Sequence, residues 1–339
     1  MDKSTRKAAR AGRKKGAGRK VLPLILAAIV LFFAAINLIP PKKVMAHNPF
    51  VKEKDALPMI AAHRGGSVDT PENTLLAFRT AVASFGVQIC ESDLWMTADG
   101  HLVFSHDASI NRMACPEDAE PVIIAEHTLQ ELRAYNMGYN FADPDSGEYV
   151  YRQLSDAEQE ALGLKILEFH ELLEEFYERE KGLLFIVEIK NPGEAGCAAA
   201  DIIDRTLTER FPDYKNSFVV GTFHPEIERY LQEQHPTLLC GASTSGAAEF
   251  IFTTLLGVNL FSGEAFSCLQ IPMSYKIKGV TLDLTRQCII SRAHRRNIAV
   301  QYWTINRPED MRALIEKGVD ALMTDDPKLL RQVLEEYAP

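Results

Sequence analysis

From Met59 onward, short apolar runs rich in β-branched residues alternate with longer stretches whose apolar positions recur every three or four residues. This is the pattern of repeated βα units around a parallel sheet. It predicts strands over residues 59–62, 87–94, 184–189, 218–222, 238–242, 268–271, 298–304 and 321–324, with residues 280–284 competing for the sixth place. Helices are predicted over residues 74–84, 169–180, 196–211, 225–235, 285–296 and 308–317. Eight strands suffice for an α/β TIM-type (β/α)8 barrel, a fold that uses about 250 residues as one domain. The chain of 339 residues holds one such barrel with chain to spare.

Two stretches exceed ordinary loops. Residues 114–165 read as an insertion beside the barrel mouth, with an acidic turn at Asp143, Asp145 and Glu148 that is either solvated or suited to a cationic head group. Residues 243–267 carry an apolar segment over 250–261, which either packs as a helix on the barrel, folds over its mouth or meets lipid.

A different pattern precedes the barrel. Residues 21–39 form one apolar run without a charge, interrupted only by Pro23 and Asn37. Nine of the first 20 residues are Lys or Arg, against the single acid Asp2, although the chain as a whole has a formal net charge of -9. A basic head in front of about 20 apolar residues marks a membrane span with its N-terminus in the cytoplasm, rather than a nucleic-acid-binding arm. The run is longer than the 7–15 residues of a usual signal-peptide core, and no strong cleavage site follows. The expected organisation is a basic cytoplasmic segment (residues 1–20), a transmembrane signal anchor (21–40), a linker (41–57) and the barrel (58–335), the last lying outside the cytoplasm at the cell membrane. A single span excludes a channel or transporter. The six cysteines form no CxxC pair, which excludes a zinc ribbon and signals no dense disulfide framework.

Candidate chemistry lies at predicted strand ends, where such barrels carry their active sites. The first strand ends in Ala62-His63-Arg64-Gly65-Gly66. An imidazole can move a proton near neutral pH, and a guanidinium can hold two phosphate oxygens in a fork. On the second strand, Glu91 and Asp93 fall on one side by the period-2 alternation, while Cys90 and Ser92 fall on the other. Two carboxylates aimed into a barrel repel each other unless a cation lies between them, so the spacing predicts a site for Mg²⁺ or Ca²⁺. Glu188 and Lys190 repeat the spacing on the third strand. Glu188 is the expected third metal ligand, and Lys190 the partner of a bridging phosphate. Asp99-Gly100 marks a tight turn whose returning strand delivers His106 to the same rim, making His63 and His106 the candidate acid–base pair.

These motifs, in order, resemble the glycerophosphodiester phosphodiesterase family, related to the phosphatidylinositol phospholipase C-like barrel phosphodiesterases. The pieces are His63-Arg64-Gly65, Pro71-Glu72-Asn73-Thr74, Glu91-Ser92-Asp93, Asp99-Gly100 with His106-Asp107, Glu188-Ile189-Lys190, Trp303-Thr304-Ile305-Asn306, Gly318-Val319-Asp320 and Thr324-Asp325. The resemblance covers residues 59–330. It implies a divalent metal on Glu91, Asp93 and Glu188, proton transfer by His63 and His106, and phosphate held by Arg64 and Lys190. It further implies Asn73 and Trp303 near the substrate pocket. The expected reaction is hydrolysis of a small or lipid-derived phosphodiester to glycerol 3-phosphate and an alcohol. Two alternatives are a phospholipase D-like action on lysophospholipids, suggested by the anchor and the apolar 250–261 segment, and a tethered module that binds phosphodiesters without cleaving them. The second has no need of a proton-transfer pair.

Overall fold

The computed structural model describes residues 22–263 and 265–338. Helix α1 occupies residues 22–38, and an irregular segment leads from it to β1 (Met59–His63). The barrel units follow as α2 (Leu75–Phe85), β2 (Ile89–Met96) and the short β3 (Leu102–Phe104). Between β3 and the next barrel strand lie α3 (Asn111–Ala114), α4 (Leu129–Leu132), α5 (Asp156–Leu162) and α6 (Phe169–Phe176). Then come β4 (Leu184–Ile189), α7 (Gly193–Glu209), β5 (Phe218–Gly221), α8 (Pro225–Gln234), β6 (Leu239–Cys240) and α9 (Thr244–Leu255). The chain closes with β7 (Cys268–Ile271), β8 (Ser274–Ile277), β9 (Val280–Asp283), α10 (Gln287–Arg295), β10 (Ala299–Tyr302), α11 (Pro308–Glu316), β11 (Ala321–Thr324) and α12 (Pro327–Glu335).

Eight parallel strands lie in the order β6-β5-β4-β2-β1-β11-β10-β7. A parallel bridge between Gly241 and Cys268 draws the two ends together, and Ala242 N–H donates to Cys268 O at 2.8 Å. The result is a near-closed (β/α)8 barrel. β3 turns back antiparallel on β2, as the Asp-Gly turn predicts. Of the two candidates for the sixth strand, residues 268–271 join the barrel, while β8 and β9 pair with each other as a hairpin beyond the end of β7.

Alternation within each strand divides the core. Ala61, Ile89, Leu184, Ile186, Val219, Cys268, Ala299 and Ala321 fill the barrel interior. Phe185, Val187 and Ile189 of the same β4 pack outward against the helices. A parallel strand covered on both faces reads as continuously apolar for this reason. The floor is sealed from the N-terminal side. Phe50 is completely buried among the interior residues, and Asn48 Nδ2 donates to Ser267 O at 2.8 Å and Asn297 O at 2.9 Å. The 114–165 insertion packs Val122, Ile124, Leu129, Leu132 and Met137 into a small core together with Ile110 just before it. Its acidic turn bonds to itself, with Asp143 accepting from the backbone and hydroxyl of Ser146 at 2.8 Å.

Of the readings open for residues 243–267, the described ones, 243–263 and 265–267, take that of a helix packed on the barrel. α9 buries Phe250, Ile251 and Thr254 against the barrel and then runs toward its floor. The expected span over residues 21–40 is represented by α1, and among the described residues no helix is long and apolar enough to cross a membrane. At about 1.5 Å per residue, residues 22–38 rise about 25 Å, against a hydrocarbon core of about 30 Å. The basic segment over residues 1–20 and residue 21 lie outside the described residues. All six cysteines are free.

Candidate active site

The strand ends at the C-terminal rim bring most of the expected side chains into one network. His63, Glu91, Asp93 and Glu188 follow the inward register of Ala61, Ile89 and Ile186 on β1, β2 and β4. His63 Nδ1 lies 2.5 Å from Asp325 Oδ1 at the end of β11, and its Nε2 lies 4.0 Å from Glu91 Oε2. Asn306 Nδ2 donates to the other oxygen of Asp325 at 2.6 Å, and Asn306 Oδ1 accepts from the backbone of Asp325 at 2.9 Å. The ring is therefore gripped by a carboxylate that is itself fixed.

Past β1 the backbone enters the left-handed region at Arg64, Gly65 and Gly66, with φ of 54°, 80° and 89°. The turn sends the Arg64 N–H back to Glu91 Oε2 at 3.1 Å and its guanidinium to Glu72 Oε1 at 3.2 Å. Glycine is needed at 66 on two counts, since a Cβ there would lie 2.8 Å from Pro327 Cγ. Arg112, on α3 just before the insertion, donates to the same Glu72 carboxylate, to Oε1 at 2.6 Å, and also reaches Asp107 Oδ2 at 2.6 Å. Asp107 in turn holds His106 Nδ1 at 2.8 Å.

Lys190 Nζ sits between two carboxylates, 2.8 Å from Asp93 Oδ1 and 2.9 Å from Glu188 Oε1. His106 stands close enough for its charge to act on Glu188. Asn73 adopts φ of 58° and accepts from Ser92 Oγ at 2.5 Å, while its buried Nδ2 has no hydrogen-bond partner. Trp303 follows β10 and packs, half-buried, against the interior cluster. No described side-chain bond links it to the charged network.

Burial and charge act together here. Burial pushes the Glu91 carboxyl up to about 7, with Asp93 and Glu188 adding repulsion against the pull of His63. Burial also raises Glu188, against the pull of Lys190. For His63, burial opposes the charge, but the hydrogen bond to Asp325 and the field of Glu91 outweigh it, and the net direction is upward from 6.5. Lys190 is likewise raised, since Asp93 and Glu188 outweigh its desolvation.

Glu91, Asp93 and Glu188 offer hard oxygen donors, and Asp93 Oδ2 is buried without a hydrogen-bond partner, so the donor chemistry fits a hard divalent cation. The expected triad is nonetheless not a ready-made cage. Among the described residues no group of three or more His, Cys, Asp or Glu is arranged to hold a metal ion, and the Lys190 ammonium takes the position between Asp93 and Glu188.

Motif reading missed the roles of Glu72, Arg112, Asp325 and Asn306. Glu72, Asp325 and Asn306 stood within the motif strings without an assigned part, and no pattern in the sequence sets Arg112 apart from other cations.

A parallel barrel with histidines, cations and carboxylates gathered at the C-terminal strand ends defines a TIM-barrel enzyme built for an anionic substrate. The comparisons narrow this class. The sequence profile of the "Glycerophosphoryl diester phosphodiesterase family" matches residues 63–329, and the chain belongs to that family of phosphoric diester hydrolases. It is 26% identical over 274 residues to a glycerophosphodiester phosphodiesterase of Caldanaerobacter subterraneus, covering 80% of this chain and 96% of that one. To a glycerophosphodiester phosphodiesterase of Bacillus subtilis it is 23% identical, covering 82% and 87%. In structure it is similar to the glycerophosphoryl diester phosphodiesterase domain of an uncharacterised Mycobacterium tuberculosis protein, with a TM-score of 0.66 at 20% identity over 82% of this chain and 99% of that one. An Oleispira antarctica phosphodiesterase solved with its product sn-glycerol-3-phosphate has a TM-score of 0.58 at 19% identity, covering 82% and 97%.

Proposed function

We propose that the chain hydrolyses glycerophosphodiesters to glycerol 3-phosphate and an alcohol, acting from a membrane anchor with its barrel outside the cytoplasm. The observation that carries the reaction is the strand-end network in which Asp325 grips His63 beside Arg64 and Lys190. Arg64 and Lys190 hold the phosphate oxygens and offset the charge that gathers on them during attack. Asp325 on Nδ1 leaves His63 Nε2 to serve the reacting oxygens, and His106 is the second proton carrier. One histidine takes a proton from the attacking hydroxyl as its oxygen bonds to phosphorus. The other donates a proton to the alcohol oxygen as its bond to phosphorus breaks. Asn73 Nδ2, a buried donor without a protein partner, is available to the substrate, and Trp303 forms an apolar wall.

Glu91, Asp93 and Glu188 would hold Mg²⁺ or Ca²⁺, which when bound adds Lewis-acid stabilisation of the phosphoryl charge. The support is the Asp93 Oδ2 atom, buried without a hydrogen bond and 3.8 Å from Arg64 Nε, and the upward-pushed carboxyl of Glu91.

The anchor reading rests on α1. Every described residue from 22 to 35 is exposed, Leu24, Leu31 and Phe32 among them, which in water is unfavourable for an apolar helix. The nine basic residues before it favour a cytoplasmic N-terminus.

The test is release of glycerol 3-phosphate from glycerophosphocholine by the purified chain, with and without a chelator, beside His106→Ala. Turnover that falls at least about 10²-fold in the variant is expected for loss of a general acid or base. Equal turnover in the variant would sink the two-histidine mechanism, and turnover unaffected by chelation would sink the metal.

A further inference from the structure

The C-terminal turns of α1 meet the rest of the molecule at one place. Asn37 Nδ2 donates to Gly257 O at 3.2 Å, and Phe33 packs so close to Gly257 that a Cβ there would lie 3.6 Å from its ring. Arg295 caps the helix end, donating to Asn37 O and Ile39 O at 2.9 Å. Gly257 lies between α9 and β7, and Arg295 ends α10 just before β10, so both belong to the floor of the barrel.

Beside this junction the floor exposes large apolar side chains: Leu255 and Leu256 at the end of α9, Phe252 one turn earlier and Phe261 beyond it, the last 69% exposed. Residues 250–263 contain no charged residue at all. Lys42 and Lys43 are exposed on the segment leaving α1 and Arg292 lies in the last turn of α10, while Glu249 is the exposed acid one position before the segment. An apolar patch continuous with an apolar helix, with Lys42 and Lys43 on the segment that leaves that helix, matches the boundary between acyl chains and anionic head groups.

Resting on the anchor reading above, we infer that the α9 floor patch, Phe252, Leu255, Leu256 and Phe261, is a second lipid contact that seats the barrel floor-down on the bilayer. The active-site mouth is at the other end of the strands. β4 alone separates floor from mouth by about 20 Å at about 3.3 Å per residue. The mouth therefore opens to water, away from the lipid that holds the enzyme. This orientation favours the soluble glycerophosphodiesters already proposed over acylated lipids resident in the same membrane.

The experiment uses the full chain in vesicles of phosphatidylcholine and phosphatidylglycerol, part of the phosphatidylcholine carrying brominated acyl chains that quench tryptophan on contact. Phe261→Trp reports the floor, and Tyr275→Trp reports the hairpin beside the mouth, where Tyr275 is exposed. The unsubstituted chain supplies the background of Trp95 and Trp303. Quenching of the added tryptophan at 261 at least about twofold stronger than at 275 is expected of an interfacial contact. Equal quenching at both, or none at 261, would overturn the inference, as would a homodimer that covers the patch and shields 261 from brominated lipid.

A second arm compares added glycerophosphocholine with lysophosphatidylcholine in the vesicle wall. A preference for the soluble diester of about tenfold or more in kcat/KM supports the substrate class, and the reverse preference overturns it. Strong quenching at 261 with neither substrate turned over supports the orientation and overturns the hydrolytic reading instead, so the two failures are distinguishable.

Discussion

His63 and Asp325 stand 262 positions apart in the chain and 2.5 Å apart in space. Asn306 and the Asp325 backbone fix the carboxylate, so the imidazole has one orientation to offer the substrate. Asp325→Asn keeps the shape and the link to Asn306 but loses the charge that steadies an imidazolium. Its expected effect is a fall in kcat of about 10²-fold with KM little changed, read from glycerophosphocholine kinetics. An unchanged kcat would show that the contact serves only packing. His63 itself was legible because it sits in a compact motif at a strand end, whereas its grip was not, since nothing local couples residues from the first and last strands. The same holds for Glu72 between Arg64 and Arg112. A second carboxylate–histidine cluster concerns stability. Glu168 Oε1 lies 2.8 Å from His101 Nδ1 and 3.1 Å from His170 Nδ1. The hydrogen bond that His170 donates to Glu168 raises His170 above its ordinary 6.5, while the two histidines outweigh burial and lower Glu168 below 4.5. The His170 contribution is complete below its unfolded value and is lost as pH rises through the raised folded one. The Glu168 contribution is present above its unfolded value and is lost as pH falls through the lowered folded one. The Tm difference between the parent and Glu168→Gln should therefore be widest near pH 5.5 and narrow by pH 8. A gap that widens toward pH 8 would contradict the pairing.

At the scale of elements, period and composition were enough to place the strands whose runs are buried on both faces, such as β4, and the helices with a clear apolar stripe. Short elements were harder. β6 forms ladder pairs over only two residues, although its apolar run is longer, because strand tilt in a closing barrel leaves little of it opposite both neighbours. α9 was obscured because its outward face is apolar as well, so residues 250–261 showed no polar side from which to judge direction. The floor segment had no periodic signal of any kind. Its importance is nevertheless large, since Phe50 is fully buried beneath the interior layers and Asn48 ties the segment to the strand entries. Phe50→Ala opens a cavity at the barrel floor and should cost about 3–5 kcal/mol of unfolding free energy. Chemical denaturation would measure it, and a loss below about 1 kcal/mol would mean the plug is not part of the cooperative core.

On the whole molecule, chain order alone dictates that whatever precedes β1 must arrive at the N-terminal end of that strand, opposite the catalytic rim. The bonds made by α1 and its junction, through Asn37, Ile39 and Arg295, all lie at that end. Val44 N–H donates to Arg296 O at 2.9 Å, and Asn297 Nδ2 donates to Met45 O at 3.0 Å, so the segment from residue 44 onward belongs to the barrel rather than to α1. α1 and the chemistry are thus separable at about residue 41. A chain that starts there loses a few floor hydrogen bonds, each worth about 1 kcal/mol net. It keeps Asn48, Phe50 and the whole rim. It should leave the membrane fraction, stay folded and turn over glycerophosphocholine within about threefold of the full chain, since none of the lost contacts touches a group that binds or orients substrate. A chain that starts at residue 52 lacks the plug and should unfold at markedly lower denaturant or aggregate. Fractionation, denaturation and turnover on the two truncations separate these outcomes. A drop of more than about tenfold in the longer fragment would mean that the anchor junction reaches the rim by a coupling through the barrel that the bonds at its floor do not provide.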